Sequence, residues 1–238
     1  MIRIPFFLLA SLIALYAAEP RSVTGTLTSA TTTSGTVDIG SVPIGVSGIV
    51  VHAYDRSHRA IVATAIVQGS EGGRTTVELR PYRGLRQPNL PDVKTPPQKG
   101  DTVVLGYLYD RVLPIVPNQK SFDLAHRSFP KLHIVHPDLI AAELAKAKTP
   151  IPDREILQKS CDKFNLGLVM IMLADGTDFL DCQSWTKVGH SDIAAVDVTH
   201  FKQPFFNRFE EIPSPFYDWS DHTIADYDNF YRKLEQRR

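Results

Sequence analysis

Short apolar runs separated by polar turn residues dominate the part of the chain before Pro117. The runs Gly48 to Tyr54, Ile61 to Gly69 and Thr75 to Arg80 are rich in β-branched residues. Two more runs of the same kind follow, at Thr102 to Tyr109 and Arg111 to Val116. This series predicts consecutive antiparallel strands that form a small β-barrel or curled sheet, in a β-rich domain of residues 19–117.

Two segments of this β-rich domain have a different composition. Ser22 to Ser41 is rich in Thr, Ser and Gly, which suits either an irregular first hairpin or a mobile lead-in. Pro81 to Pro97 contains five prolines. Because proline lacks the backbone N–H that helices and strand ladders use, this segment predicts a crossing loop.

After Pro117 the apolar spacing changes from that of strands to that of helices. Apolar residues recur on one helical face in Pro137 to Lys148, and Asp153 to Lys163 predicts a second helix. Lys131 to Val135 is a strand candidate ahead of this helix pair. Residues 118–197 are therefore predicted to form an α+β domain with a helix pair and a β-hairpin.

The hairpin of this second domain is predicted from its turn. Leu166 to Ala174 and Thr177 to Cys182 flank the dipeptide Asp175-Gly176, a strong hairpin signal. With these two residues at the turn, Cys182 lies opposite Val169. The two strands then follow directly on the helix pair.

The amino-terminal residues 1–18 have the composition of an export signal. Arg3 supplies a positive start, Ile4 to Tyr16 is apolar, and Ala17 and Ala18 offer small residues for cleavage after either one. The alternatives are an uncleaved membrane anchor, for which the run is short, or a buried core helix. We therefore expect an exported protein, in the periplasm or at the cell surface.

Two cysteines, Cys161 and Cys182, lie in the mature chain. In an oxidising compartment a single pair is most simply a disulfide, which would staple the second predicted helix to the hairpin. A structural zinc site needs about four ligands, which two thiols do not supply. A redox pair is the remaining alternative, but its usual C-x-x-C spacing is missing.

The carboxyl-terminal region, residues 198–238, is rich in aromatic side chains. These residues either pack back across both domains or form an exposed docking strip, because aromatic residues are enriched in interface hot spots. Asp226 to Arg238 is predicted to form a terminal helix with a basic end. The fold class is thus α+β: a small barrel-like domain, a disulfide-stapled α+β domain and an aromatic tail.

Charge excludes some classes of partner. The chain has 26 basic and 26 acidic residues, and removal of Arg3 with the signal leaves 25 basic against 26 acidic. Such a balance provides no electrostatic attraction to nucleic acid or anionic lipid. We expect a protein partner, and contact with a membrane only through an uncleaved signal.

Histidines are the first candidates for a chemical site. His52 and His58 lie near a predicted strand end, but exposed turn histidines are common. His133 and His136 are three residues apart, which on a strand directs them to opposite faces. The sequence contains no G-x-S-x-G, H-E-x-x-H or phosphate-binding glycine motif. We therefore predict no catalytic residue, no metal site and no cofactor.

Several ordered segments support a resemblance to a known family. They are Gly48-Ile-Val-Val, Lys99-Gly-Asp-Thr-Val-Val-Leu, Leu113-Pro-Ile-Val-Pro-Asn, Cys161 with Gly167-Leu-Val-Met-Ile, Asp181-Cys-Gln-Ser-Trp and Pro204-Phe-Phe-Asn-Arg-Phe-Glu-Glu-Ile. In this order the chain resembles the amino-terminal region of the plasminogen-binding protein A family of Helicobacter and related ε-proteobacteria. The resemblance covers nearly the whole mature chain.

The resemblance implies a non-enzymatic surface or envelope protein that captures host plasminogen. Plasminogen kringles prefer a terminal lysine, or a cation beside an anion, so a mark near the chain end is implied. The candidate residues are Arg232, Lys233, Glu235, Arg237 and Arg238. The alternatives are an ordinary solvated helix end and, for the whole chain, a periplasmic scaffold or assembly module without plasminogen binding.

Overall fold

The computed structural model describes residues 22–84, 94–215 and 223–236. Within these ranges a closed six-stranded barrel is followed by a five-stranded sheet and four helices. The predicted α+β fold class, with a small antiparallel barrel first, is confirmed. The predicted signal, residues 1–18, lies outside the described residues.

The barrel strands are arranged in the order β1-β2-β5-β4-β3-β6, and β6 closes the barrel by pairing with β1. Their bounds are β1 (Val23–Ala30), β2 (Ser34–Val37), β3 (Ser47–Ala53), β4 (Arg59–Glu71), β5 (Arg74–Arg80) and β6 (Thr102–Leu105). All neighbouring strands are antiparallel, as predicted. The segment Ser22 to Ser41 contains the β1–β2 hairpin and is not a lead-in.

Alternating side chains fill the barrel interior. In β5, Thr75, Val77 and Leu79 are buried and their neighbours are more exposed. The same alternation buries Val103 and Leu105 in β6. Burial of each apolar side chain of this size stabilises the fold by about 1.5–3 kcal/mol. The period of two in the sequence is therefore the direct cause of the barrel core.

The second sheet has the strand order β11-β10-β9-β7-β8. Its strands are β7 (Arg111–Ile115), β8 (His133–Ile134), β9 (Leu168–Leu173), β10 (Gly176–Asp181) and β11 (Lys187–Ser191). Strand β7 is parallel to both β8 and β9, whereas the β9, β10 and β11 neighbours are antiparallel.

One barrel strand was assigned wrongly from the sequence pattern. Arg111 to Val116 does not continue the barrel series, because β7 pairs only within the second sheet. The chain turns at Gly106 (φ 70°) and Leu108 (φ 63°), which ends β6 before Tyr109. Almost all of β7 is buried, as is typical of a parallel strand covered on both faces. The division into independently folding domains at residue 117 stays a prediction.

The hairpin turn lies one residue earlier than predicted. Gly176 pairs with Leu173, so Ala174 and Asp175 are the turn residues and Cys182 lies beside Gly167 instead of Val169. A Cβ atom added to Gly176 would lie 2.6 Å from the Ser191 carbonyl oxygen. Glycine is thus required here for the close approach of β11, a strand that the sequence pattern did not indicate.

The helices are α1 (Gln119–Ser128), α2 (Asp138–Ala147), α3 (Arg154–Phe164) and α4 (Tyr227–Gln236). Three of them follow the predicted pattern, and α1 is additional. Asn118 begins α1 by accepting a hydrogen bond from the Ser121 backbone N–H at 3.0 Å, and Asp153 caps α3 in the same way. Helix α1 was not predicted, although it is amphipathic and buries Ser121, Phe122 and Ala125.

The predicted disulfide is present. Cys161, in the last turn of α3, is bonded to Cys182, which directly follows β10, and both residues are buried. The bond therefore joins a helix to the central part of the second sheet.

The aromatic tail packs onto the body of the protein. Phe206 contributes to the core shared by the barrel and α1, and Phe205 contributes to the core beneath α2, α3 and α4. All the tail phenylalanines and tyrosines in the described part of the chain are buried or partly buried. The aromatic residues Phe216, Tyr217 and Trp219 lie outside the described residues.

Candidate partner-binding surface

Helix α4 carries most of the predicted partner-binding residues and is anchored on the second sheet. Tyr227, Tyr231 and Leu234 form its buried face. The Tyr231 hydroxyl donates to the Pro204 carbonyl oxygen at 2.7 Å, and the Trp185 indole N–H donates to the Leu234 carbonyl oxygen at 3.1 Å. The helix is therefore held at both its middle and its final turn.

Arg232 is engaged by the protein itself. Its guanidinium donates to Asp175 in the hairpin turn at 2.5 Å and to Asp228 on α4 at 3.2 Å. The hydrogen bond to Asp175 raises the pKa of Arg232, and the same contact lowers the pKa of Asp175. Asp228 also accepts from the Ala174 backbone N–H at 3.1 Å. These contacts tie α4 to the hairpin turn and leave Arg232 only partly available to a partner.

Glu235 points toward the sheet instead of solvent. Burial raises its pKa to about 7, and the nearby Asp178 carboxylate acts in the same direction. Asp178 is 3% exposed and accepts from Lys187 Nζ at 3.1 Å and from His190 Nδ1 at 2.5 Å. Glu235 thus belongs to a charged network under α4, and not to an outward anionic mark.

Lys233 is the exposed member of the predicted set within the described residues. It lies on the outward face of α4, as do Asn229 and Gln236. Arg237 and Arg238 lie outside the described residues. The structure therefore does not bring Arg232, Lys233 and Glu235 together as one patch. Arg232 lies at the side of α4, Lys233 faces outward and Glu235 faces the sheet.

A buried carboxylate joins the barrel to the second sheet. One oxygen of Asp181 accepts from the Ser47 backbone N–H at 3.0 Å, from the Ser47 hydroxyl at 2.5 Å and from the Tyr109 hydroxyl at 2.6 Å. Its other oxygen accepts from the Gln183 and Ser184 backbone N–H groups. Burial and the Asp181 charge raise the pKa of Tyr109, so the hydroxyl stays a donor.

Beside this junction lies a cleft between the end of β5 and helix α3, with a volume of about 370 Å³. Arg80 and Arg83 line the barrel wall, and Arg154 and Lys159 line the helix wall. Arg80 is bonded to Glu78 at 2.6 Å and Lys159 to Glu155 at 2.6 Å. Because Arg80 and Lys159 are paired with carboxylates of their own elements, the cleft presents mixed charge to solvent.

The comparison with known families identifies the chain. The sequence model described as "Plasminogen-binding protein pgbA N-terminal" matches residues 23–234. The chain belongs to this family. The matched range begins at the first barrel strand and ends in α4 at Leu234, so it includes the barrel, the second sheet, both cysteines and the anchored face of the helix.

Two curated relatives are named "Plasminogen-binding protein PgbA", from two strains of Helicobacter pylori. They are 23% and 22% identical to this chain over 155 residues, which is 65% of the chain and 34% of each relative. The chain thus spans about a third of the length of the curated relatives it matches. Both relatives are named as binding proteins.

The candidate histidines of this chain do not converge. His52 bonds Asp101 at 2.7 Å in the barrel, and His58 bonds Asp55 at 2.7 Å in an exposed turn. His133 lies in β8, whereas His136 precedes α2. Over the described ranges, no group of three or more His, Cys, Asp or Glu residues has an arrangement that can hold a metal ion.

None of the helices in the described part of the chain has the length and apolarity that a membrane span requires.

Sequence reasoning missed Asp181, Asp178 and His190. Asp181 directly precedes Cys182. Asp178 is the third residue of β10, in which every residue is buried. Only Phe179 and Leu180 of this strand are apolar, so its sequence did not indicate that the two aspartates are buried and require partners. The partners themselves were not visible in the sequence, since they come from distant strands.

Proposed function

We propose that this chain is an exported, non-enzymatic cell-envelope protein that binds host plasminogen. The observation that carries the proposal is membership of the pgbA N-terminal family, together with two relatives named as plasminogen-binding proteins. Export is consistent with the signal-like residues 1–18 and with the disulfide. The proposed site is Lys233 on the outward face of α4, together with Arg237 and Arg238, which follow this helix in the sequence.

The placement of α4 decides how this site is tested. Removal of the whole helix would also remove Tyr227 and Tyr231, which are almost fully buried, and would damage the fold. A cleaner variant combines Lys233→Ala with deletion of Arg237 and Arg238. Lys146→Ala is the matched control, because Lys146 is an exposed lysine on α2, away from α4.

Surface plasmon resonance with immobilised plasminogen measures the effect. The mature chain is expected to bind, and free lysine is expected to displace it. The combined variant should bind at least about tenfold more weakly, as expected when residues central to an interface are lost, and the control should bind normally. Absence of lysine-sensitive binding by the intact chain, or full binding by the combined variant, contradicts the proposed site.

Localisation tests the rest of the proposal. An export signal carries a chain across the inner membrane, whereas contact with host plasminogen requires exposure outside the outer membrane. Protease shaving of intact cells should therefore cut the protein. Cleavage only after rupture of the outer membrane would instead support the alternative of a periplasmic scaffold or assembly module.

A further inference from the structure

We propose that protonated Glu235 donates a hydrogen bond to the Asp178 carboxylate, and that this bond latches helix α4 onto the second sheet in acid and releases its last turn as the pH rises. The inference does not depend on plasminogen binding. It concerns a contact between two carboxyl groups that neither the family match nor the names of the relatives assign.

The Asp178 carboxylate already accepts hydrogen bonds from two neighbouring side chains. It lies in the middle of β10 and is 3% exposed. Lys187 and His190, both on the neighbouring strand β11, bond its two oxygens at 3.1 Å and 2.5 Å. This carboxylate accepts hydrogen bonds and offers no donor to a second acid.

Glu235 approaches Asp178 from α4 with an incomplete set of partners. Its Oε1 atom is buried and has no hydrogen-bond partner in the described part of the chain. An ionised Glu235 would place two acceptors face to face, at a cost, because a buried polar atom without a partner is destabilising. A protonated Glu235 has an O–H that can donate to Asp178, which removes the conflict.

The remaining charges around the pair only partly offset this repulsion. Lys187 on β11 and Arg232 on α4 favour the ionised form of Glu235, but Lys187 bonds Asp178 and Arg232 bonds Asp175 and Asp228. His190 also contacts Asp178, and its Nε2 lies 3.8 Å from Asp192 in the segment after β11. Acids therefore outnumber the fully charged cations at this site.

The direction of the pH effect follows from the pKa of Glu235. Burial, followed by the Asp178 charge, raises this pKa from 4.5 to about 7. Between pH 4.5 and about pH 7, Glu235 binds more protons in the docked helix than in the released helix. Docking of the helix therefore weakens as the pH rises through this range. The Trp185 contact to Leu234 lies in the same turn and should be lost with it.

Hydrogen exchange by mass spectrometry on the full mature chain tests the latch. Between about pH 5.5 and about pH 8, protection of peptides from α4 should fall by about tenfold, after correction for intrinsic exchange and allowing for partial exposure of Glu235. Peptides from the barrel should keep their protection. Unchanged protection of α4 across this range would overturn the proposal.

Two variants separate the latch from general loosening of the helix. Glu235→Gln supplies a permanent donor of similar shape, so α4 should stay protected at both pH values. Glu155→Gln, on the exposed face of α3, should keep the pH dependence of the wild type. Persistence of the full pH dependence in Glu235→Gln would contradict the role of this residue.

A direct titration does not rely on any variant. Carbonyl-carbon NMR of the Glu235 side chain in the wild-type chain should give a midpoint near the raised pKa of about 7. A midpoint in the ordinary range of an exposed glutamate would overturn the proposed hydrogen bond from Glu235.

Discussion

At the scale of single residues, Gly48 determines how closely two barrel strands approach. It lies in β3 between β4 and β6, opposite Ala65 and Leu105. A Cβ atom built on Gly48 would lie 2.1 Å from the Val104 carbonyl oxygen and 2.7 Å from Leu105 Cα. Both atoms belong to the backbone of β6, which cannot move aside as a flexible side chain can. The barrel therefore closes only with glycine at this position.

We predict that Gly48→Ala lowers the free energy of unfolding by about 2–3 kcal/mol, the usual cost of overpacking a rigid site. Urea denaturation followed by circular dichroism measures the change. Gly69→Ala is the control, since nothing lies within 4 Å of a Cβ atom at Gly69 in β4. This second variant should be as stable as the wild type or slightly more stable. Equal stability of both variants would contradict the close-approach argument.

At the scale of elements, the disulfide connects helix α3 to the sheet that it covers. Cys161 and Cys182 are 21 residues apart in sequence, and their Cα atoms are 6.0 Å apart. Gln158 on the same helix donates to the Cys182 carbonyl oxygen at 2.9 Å. The covalent bond and this hydrogen bond hold the same two elements together. The helix pair should therefore be the part of the fold most sensitive to reduction.

The prediction is that the double variant Cys161→Ala and Cys182→Ala loses about 3 kcal/mol of stability, the chain-entropy value for a loop of this size. Unfolding curves of the wild type with and without reductant should differ by a similar amount. The variant should be insensitive to reductant. Mass mapping under non-reducing conditions should find the two cysteines in one linked peptide pair, and free thiols in protein from the envelope would contradict the bond.

At the scale of the whole molecule, Asp181 couples the two main parts. It belongs to β10, but three of the five hydrogen bonds that its carboxylate accepts come from Ser47 and Tyr109. A further bond between the Ser184 hydroxyl and the Gly45 carbonyl oxygen, at 2.6 Å, crosses the same junction. The barrel and the second sheet are thus joined by buried polar contacts as well as by the chain.

We expect Asp181→Asn to lower the free energy of unfolding by about 3 kcal/mol, because an amide N–H₂ would face donors that need an acceptor. Chemical denaturation monitored separately by tryptophan fluorescence and by barrel hydrogen exchange measures the loss. Asp123→Asn, at an exposed position on α1, is the control and should change stability little. A variant at position 181 as stable as the wild type would refute the coupling role.

Stability of the whole chain should also depend on pH through Glu235. Its folded pKa of about 7 exceeds the ordinary value of 4.5, so its contribution is fully present below the lower value and is lost as the pH rises through the higher one. After a discount for partial exposure, this loss should be about 1–2 kcal/mol. Urea midpoints across this range should fall for the wild type and stay flatter for Glu235→Gln.

The sequence predicts some elements of the fold correctly and others wrongly. Strands β3 to β6 followed from β-branched runs between turn residues, and the disulfide followed from a single cysteine pair in a chain with a signal-like start. Strand β7 was misassigned because its composition fits either sheet, and only its neighbours distinguish them. Arg232, Lys233 and Glu235 lie on α4, but their orientation depends on how α4 packs, which a composition of charged residues does not indicate.

The sequence alone determined the types of most elements, though not α1 or β11, as well as the α+β class and the family, because these depend on side chains that are close together along the chain. Only the tertiary structure decided the pairing of β7, the hairpin register, the Asp181 junction and the burial of Glu235. These features join residues as far apart as 134 positions, between Ser47 and Asp181. Such contacts arise from packing between elements, which local propensity does not encode.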